Sequence, residues 1–139
     1  MVIIAVDYGD VRTGVAVCDK MEMLASPVCV IEQRNADLVI DKICSLASEH
    51  KAEMIVVGLP KNMNSSEGER AQKCKLFAEA LSEKSGLETV MRDERLSTVV
   101  AHNVLNTTNT RGKKRKAVVD QVAAVMILQD FIDFRKNKR

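Results

Sequence analysis

The sequence contains very few aromatic side chains. Its 139 residues include no tryptophan and only four aromatic residues, which are Tyr8, Phe77, Phe131 and Phe134. Because 46% of the residues are hydrophobic while only 3% are aromatic, the core must be aliphatic. So few rings offer little surface for stacking nucleic acid bases, and we do not expect binding on an aromatic platform.

Long apolar runs and paired cysteines are also missing. No run approaches the roughly 18 residues that a membrane-spanning helix needs. Met1 leads straight into VIIAV without the basic stretch of a secretory signal. The four cysteines are widely spaced, with no CxxC pair and no histidine pair nearby, and are Cys18, Cys29, Cys44 and Cys74. This spacing disfavours a zinc site and predicts buried, reduced thiols in a cytoplasmic protein. The length of the chain predicts one domain, residues 1–139.

Positive charge is confined to two short clusters. The net charge is +2, but RGKKRK at 111–116 carries five basic residues and RKNKR at 135–139 carries four. Removing those nine from the 21 Lys and Arg leaves 12 against 19 Asp and Glu, a balance of −7. The clusters are either a solvated loop and a frayed tail, or a phosphate-binding surface on an otherwise acidic protein.

The hydrophobic pattern predicts an α/β fold. Residues 2–7, 11–19 and 25–33 suit three strands, and the short turn at Gly9-Asp10 makes the first two antiparallel. Two further apolar strands, 53–60 and 87–92, alternate with helices. This order predicts an RNase H-like, five-stranded mixed sheet, three antiparallel strands followed by parallel ones, flanked by helices.

The helices show clear start and stop signals. Asn35 should cap the first helix, in which Leu38 and Val39, Ile43, Leu46 and Ala47, and His50 lie at the spacing of one helical face. A capping box at 66–69 should open the second, which buries Ala71, Cys74, Ala78 and Leu81 and ends at Gly86. Residues 97–106 and 115–134 suit the last two helices, with a polar loop between them.

Three acidic positions stand out against this pattern. Asp7 ends the first strand, Asp93 and Glu94 follow the last, and Asp120 interrupts an apolar helical stripe. Parallel strands end on one edge of a sheet, where sites tend to form. Taken singly, Asp7 could be a turn residue and Asp120 could belong to a buried ion pair with Lys116, Arg12 or Arg95. Taken together, clustered carboxylates repel one another unless a cation lies between them, and oxygen ligands favour Mg²⁺ or Mn²⁺.

Four segments of the chain resemble the signature blocks of the YqgF (RuvX) family. They are DYGDVRTGVAV, GLPKNMNSSEG, DERLST and KAVVDQVAAVMIL, in the family's order and across nearly the whole chain. The resemblance implies an RNase H-like nuclease acting in Holliday junction resolution or in maturation of the 5′ end of pre-16S rRNA. It also implies that Asp7, Glu94 and Asp120 are catalytic and hold the metal. One departure is Arg92, where an aromatic residue often precedes the third block.

Basic and polar residues near the acids are candidates for substrate binding. They are Arg12, Lys61, Asn62, Arg95, Lys113, Lys114, Arg115 and Lys116. For Arg12 and Thr13, a structural contact within the hairpin is an equal alternative. The expected partner is structured RNA or branched DNA, and no membrane is expected to be involved. The protein itself should be a monomer or a homodimer. A nucleic-acid-binding module with little cleavage is a second hypothesis. An actin-like or sugar-kinase-like ATPase is a third, disfavoured because it needs two such domains.

Overall fold

The computed structural model describes residues 1–59, 68–93 and 112–137, while the side chains of residues 93 and 112–121 lie outside that description. Five strands and three helices occur in this part of the chain. In order they are β1 (Ile3–Asp7), β2 (Arg12–Cys18), β3 (Ala25–Glu32), α1 (Ala36–His50), β4 (Met54–Leu59), α2 (Glu69–Ser85), β5 (Glu88–Asp93) and α3 (Gly112–Asn137). The helix predicted over 97–106 lies outside the described residues.

The five strands form one sheet in the order β3-β2-β1-β4-β5. β1 pairs antiparallel with β2, and β2 with β3. β4 pairs in parallel with both β1 and β5. The predicted mixed sheet is therefore confirmed. Its parallel half requires helical crossovers, of which α2 is the one that joins β4 to β5.

Both faces of the sheet are covered, which explains why β1 is apolar from Ile3 to Val6. Ile4 and Val6 belong to a core cluster with residues of α1 and α2 such as Ile43. Ile3 and Ala5 point the other way and cluster with residues of α3. Side chains alternate between the faces of a strand, so a strand buried on both faces has no polar positions.

The cap of α1 is confirmed, but its inward face differs from the prediction by one position. The Asn35 side chain accepts hydrogen bonds from the backbone N–H groups of Asp37 and Leu38. Leu38 itself is 50% exposed, whereas Ile40 is buried. The buried stripe runs through Val39, Ile40 and Ile43, and Leu38 lies one helical step, about 100°, to its side.

The start of α2 differs from the predicted capping box. α2 begins at Glu69, and its N-cap is Gly68, which makes no side-chain cap bond. Residues 66 and 67 lie outside the described part of the chain. The predicted inward residues are all buried, together with Phe77, which the pattern missed. The stop at Gly86 is confirmed, because this glycine adopts the left-handed conformation with φ 71° and donates its N–H to the Ser82 carbonyl.

The two basic clusters are more helical than the sequence suggested. α3 begins at Gly112, so residues 113–116 form its first turn and not a loop. Lysine and arginine are good helix formers, so a charged composition alone does not indicate a loop. At the other end α3 continues to Asn137, and Arg135 Nε lies 2.7 Å from Glu22 Oε1. The prediction of a frayed tail was wrong as far as residue 137.

Two further sequence expectations can be compared with the structure. All four cysteines are free, and Cys18 and Cys74 are buried as predicted, but Cys29 and Cys44 are partly exposed. Among the described helices, none has both the length and the apolar content to cross a membrane.

Candidate active site

The parallel strands bring their carboxyl ends to one edge of the sheet. Val6 is in register with Val57 on β4, and Leu59 with Asp93 on β5. Residue 8 is therefore at the level of Leu59 and Asp93, and Asp7 lies one residue before that level. β4 lies between the two strands that carry Asp7 and Asp93. Two strand spacings amount to about 10 Å. The end of β1 and the end of β5 can thus contribute side chains to one site.

Asp7 is on the face of the sheet that α3 covers. Ile3 and Ala5, at the alternate positions of β1, cluster with Ala124 and Ile127 of α3. Since residues two apart on a strand share a face, the half-buried Asp7 side chain lies on this face as well. The end of β1 thus presents a carboxylate toward α3.

α3 packs on the face of the sheet on which Asp7 lies. The Gln129 side chain accepts a 2.9 Å hydrogen bond from the N–H of Ala25, which pairs with Cys18 at the opposite end of the sheet. Nine residues separate 129 from 120, a rise of about 13 Å along a helix. β1 spans about the same length from Ile3 to Asp7. A helix that ran along β1 from this contact would bring residue 120 to the level of Asp7, and that convergence stays a prediction.

The turn that follows Asp7 is tightly closed. A Cβ placed on Gly9 would come within 2.0 Å of the carbonyl oxygen of Arg12, so only glycine fits there. The fully buried Thr13 hydroxyl accepts a 3.3 Å hydrogen bond from the Gly9 N–H and lies 3.5 Å from the Gly9 carbonyl. Thr13 thus takes the structural role that was one of its two alternatives.

Arg12 contacts a neighbouring strand. Its Nε lies 3.3 Å from Glu32 Oε1, across the pairing of β2 with β3. The buried Nε makes no hydrogen bond among the described residues. This contact corresponds to the structural alternative for Arg12, and a role in substrate binding stays a prediction.

Most of the other predicted site residues fall outside the described part of the chain. Lys61, Asn62, Glu94 and Arg95 are among them. Asp120 and the basic residues 113–116 are placed by the backbone of α3 only. Arg92, the departure from the family pattern, bonds Asp130 of α3 through Nε at 2.8 Å and lies 4.5 Å from the centroid of Phe134. It therefore fastens β5 to α3.

Sequence reasoning missed Tyr8 and Arg70. Arg70, in the first turn of α2, donates to the Tyr8 carbonyl and bonds Asp10 Oδ1 at 2.6 Å. The Tyr8 ring stacks on Phe77 with centroids 3.9 Å apart. A cation in the first turn of a helix is unfavourable, because that end of the helix dipole is positive. This unusual position was the one feature of the sequence that could have drawn attention to Arg70.

The donor chemistry at this edge suits a hard divalent cation. Among the described residues no three His, Cys, Asp or Glu side chains come together as a metal cluster. The group that is described at the edge is the Asp7 carboxylate, and carboxylate oxygens suit Mg²⁺ or Mn²⁺. Burial raises the pKa of the Cys18, Cys29 and Cys44 thiols. These cysteines stay protonated and are poor ligands for a soft metal.

Comparison with known proteins adds an independent finding. The family model RuvX, described as Holliday junction resolvase, matches residues 1–134. Two similar proteins are named "Putative pre-16S rRNA nuclease". The one from Agathobacter rectalis is 38% identical over 142 residues, covering 100% of this chain and 99% of that protein. The one from Bacillus cereus is 42% identical over 135 residues, covering 96% and 98%.

Solved structures with a similar fold are much more distant in sequence. Thermus thermophilus RuvC in complex with Holliday junction substrate is 12% identical, with a TM-score of 0.62, covering 99% of this chain and 96% of that one. The fowlpox virus Holliday junction resolvase is 12% identical, with a TM-score of 0.56, covering 96% and 99%. At such identities the likeness concerns the fold, and it confirms the RNase H-like prediction.

Proposed function

This chain belongs to the RuvX family, and we propose that it is a divalent-metal-dependent endonuclease that hydrolyses phosphodiester bonds in structured nucleic acid. One observation carries the proposal. Asp7 ends β1 at the edge where the parallel strands end, on the face that α3 covers. Carboxylates gathered at such an edge are the ligands that metal-assisted phosphodiester hydrolysis requires.

Within this proposal Asp7, Glu94 and Asp120 hold the metal. The chemistry that Mg²⁺ or Mn²⁺ supplies in such a site is activation of a water and stabilisation of the leaving oxygen. The chain's own task is to keep the carboxylates ionised and close together. β1 and α3 do so as rigid elements packed through one core, which suits a site that must hold its geometry.

The basic residues at the start of α3 are proposed to bind the substrate backbone. They lie in the first turns of the helix that carries Asp120 about one turn further on, and they are Lys113, Lys114, Arg115 and Lys116. A helix N-terminus already carries partial positive charge, so four cations there favour an anionic partner. Phosphates held at this end would lie next to the metal ligands.

We propose RNA, and specifically the 5′ end of pre-16S rRNA, as the substrate. The relatives that share 38% and 42% identity over nearly their whole length carry that name. The alternative is a Holliday junction in DNA, which the description of the matching family favours. The structural neighbours bound to junctions are too distant in sequence to decide between the two.

Cleavage assays with purified protein test both substrates. A pre-16S RNA fragment and a four-way DNA junction are incubated with Mg²⁺, with Mn²⁺ or with EDTA. We expect metal-dependent cleavage of the RNA, and cleavage of the junction instead would support the alternative. Binding of either substrate without metal-dependent cleavage would overturn the nuclease and favour a binding module.

A matched pair of carboxylate variants locates the reaction. Asp7→Asn should lower cleavage by orders of magnitude while nucleic acid binding survives, because a metal ligand is removed and the fold is kept. Asp41→Asn is the control, since Asp41 lies on α1 and pairs with Lys84 at the surface. Equal activity of Asp7→Asn and wild type would contradict the assignment of Asp7.

A further inference from the structure

Arg70 connects α2 to the turn that follows Asp7. One guanidinium nitrogen donates to the backbone carbonyl of Tyr8, and the other lies 2.6 Å from Asp10 Oδ1. The two acceptors flank Gly9, so one side chain ties both halves of the turn to α2. The guanidinium carbon also lies 5.0 Å from the centroid of the Tyr8 ring, within the range of a cation–π contact.

Aromatic stacking reinforces this attachment. The rings of Tyr8 and Phe77 are nearly parallel, 9° apart, with centroids separated by 3.9 Å. Phe77 is buried two turns along α2 from Arg70. Lys73, between them, adds a weaker ion pair to Asp10 at 3.8 Å. The residue directly after Asp7 is therefore held through its carbonyl and through its ring.

The position of Arg70 has a local cost that these contacts offset. The first turn of a helix carries partial positive charge, so a cation there is disfavoured. The N-cap of α2 also lacks a side-chain hydrogen bond. Arg70 therefore gains little within its own helix, and its partners are in the turn.

We infer that Arg70 is a positioning residue that fixes the turn after Asp7 and thereby the direction in which the Asp7 carboxylate is presented. The guanidinium reaches the backbone one peptide unit from Asp7, so it would act on the carboxylate through the backbone of the turn. The part of the inference that concerns catalysis rests on the proposed nuclease function. The part that concerns the turn does not.

The chain provides its own reporter for the turn. Tyr8 is the single tyrosine and there is no tryptophan, so the protein's fluorescence comes from Tyr8 alone. Its ring is held against Phe77 and beside Arg70, so its mobility and its exposure report on the turn.

Arg70→Ala tests whether these contacts hold the turn. If Arg70 holds it, the variant exposes Tyr8, so the anisotropy of its fluorescence falls and its quenching by acrylamide rises. If the turn is held without Arg70, the anisotropy and the quenching are unchanged. That second result would overturn the inference. Lys84→Ala, which removes a surface ion pair between α2 and α1, is the control and should change neither quantity.

Kinetics test the consequence for the site. Arg70→Ala should lower kcat by about 10- to 100-fold, as expected when a reacting group is misplaced by about 1 Å, with little change in KM. The Mg²⁺ concentration for half-maximal activity should rise, and Arg70→Lys should restore part of kcat. A loose turn with unchanged kcat and metal dependence would refute the positioning role. Absence of activity in the wild type would instead refute the proposed function, while the Tyr8 measurements still decide whether Arg70 holds the turn.

Discussion

Replacing Gly9 by alanine should lower the stability of the protein more than replacing Gly86, because the turn after Asp7 leaves no room for a Cβ atom at residue 9. The added Cβ would lie 2.0 Å from the Arg12 carbonyl oxygen, a backbone atom that cannot rotate away. The turn must open by about 1 Å or more to bring this distance near the shortest normal carbon–oxygen separations. Opening it also disturbs the contacts of the Thr13 hydroxyl with the Gly9 N–H and carbonyl.

These terms give a magnitude. Overpacking costs about 1–3 kcal/mol, and weakening the bond between the Gly9 N–H and Thr13 costs about 0.5–1.5 kcal/mol. We expect Gly9→Ala to lower the free energy of unfolding by about 3 kcal/mol. In a chain of this size that corresponds to a melting temperature lower by about 10 °C.

Gly86→Ala is the matched control. Gly86 has φ 71°, and nothing lies within 4 Å of the position of its Cβ. Its substitution should cost only the left-handed backbone term, about 1 kcal/mol. Urea unfolding followed by far-UV circular dichroism measures both variants. If Gly9→Ala were no less stable than Gly86→Ala, the close approach at Gly9 would not constrain the turn, and our reasoning would be refuted.

Three further outcomes are expected. Arg135→Ala should cost about 2–3 kcal/mol in urea unfolding, because Glu22 is only 5% exposed and would lose its ion pair with Arg135. A destabilisation no larger than that of the surface variant Lys84→Ala would contradict this. Asp120→Asn, melted in EDTA, should be as stable as wild type or slightly more so, whereas a buried ion pair predicts a destabilisation of about 3–5 kcal/mol. Neutralising the basic residues 113–116 should weaken nucleic acid binding and reduce its logarithmic salt slope by about 0.7–0.9 for each phosphate that the protein no longer neutralises, and an unchanged slope would exclude them from the interface.

The sequence by itself determined the strands of the sheet and the edge at which its parallel strands end. Continuous apolar runs predict strands buried on both faces, and a short connection can only join antiparallel strands, so β1, β2 and β4 were predictable from local pattern. Asp7 was conspicuous for the same reason, as an acid at the end of such a run. The family resemblance rested on segments that local pattern could also place on strands, turns and helices.

Local pattern was less reliable where a helix met the rest of the protein. Leu38 and Ile40 are equally apolar, and only the packing of α1 against the sheet decides which of them is buried. The sequence predicted the last helix from residue 115 onward and left residues 113 and 114 in the preceding loop. In the structure α3 already begins at Gly112, which adds residues 113 and 114 to the helix.

Only the tertiary structure brought Arg70 to the turn after Asp7. The two partners of this contact, Tyr8 and Arg70, are 62 positions apart in the chain. Their meeting depends on α2 crossing from β4 to β5 over the face that buries Phe77. The same holds for Arg135 and Glu22, 113 positions apart. Periodicity and capping signals act over a few residues, so they predict elements, whereas contacts between elements are decided when the sheet and its helices pack together.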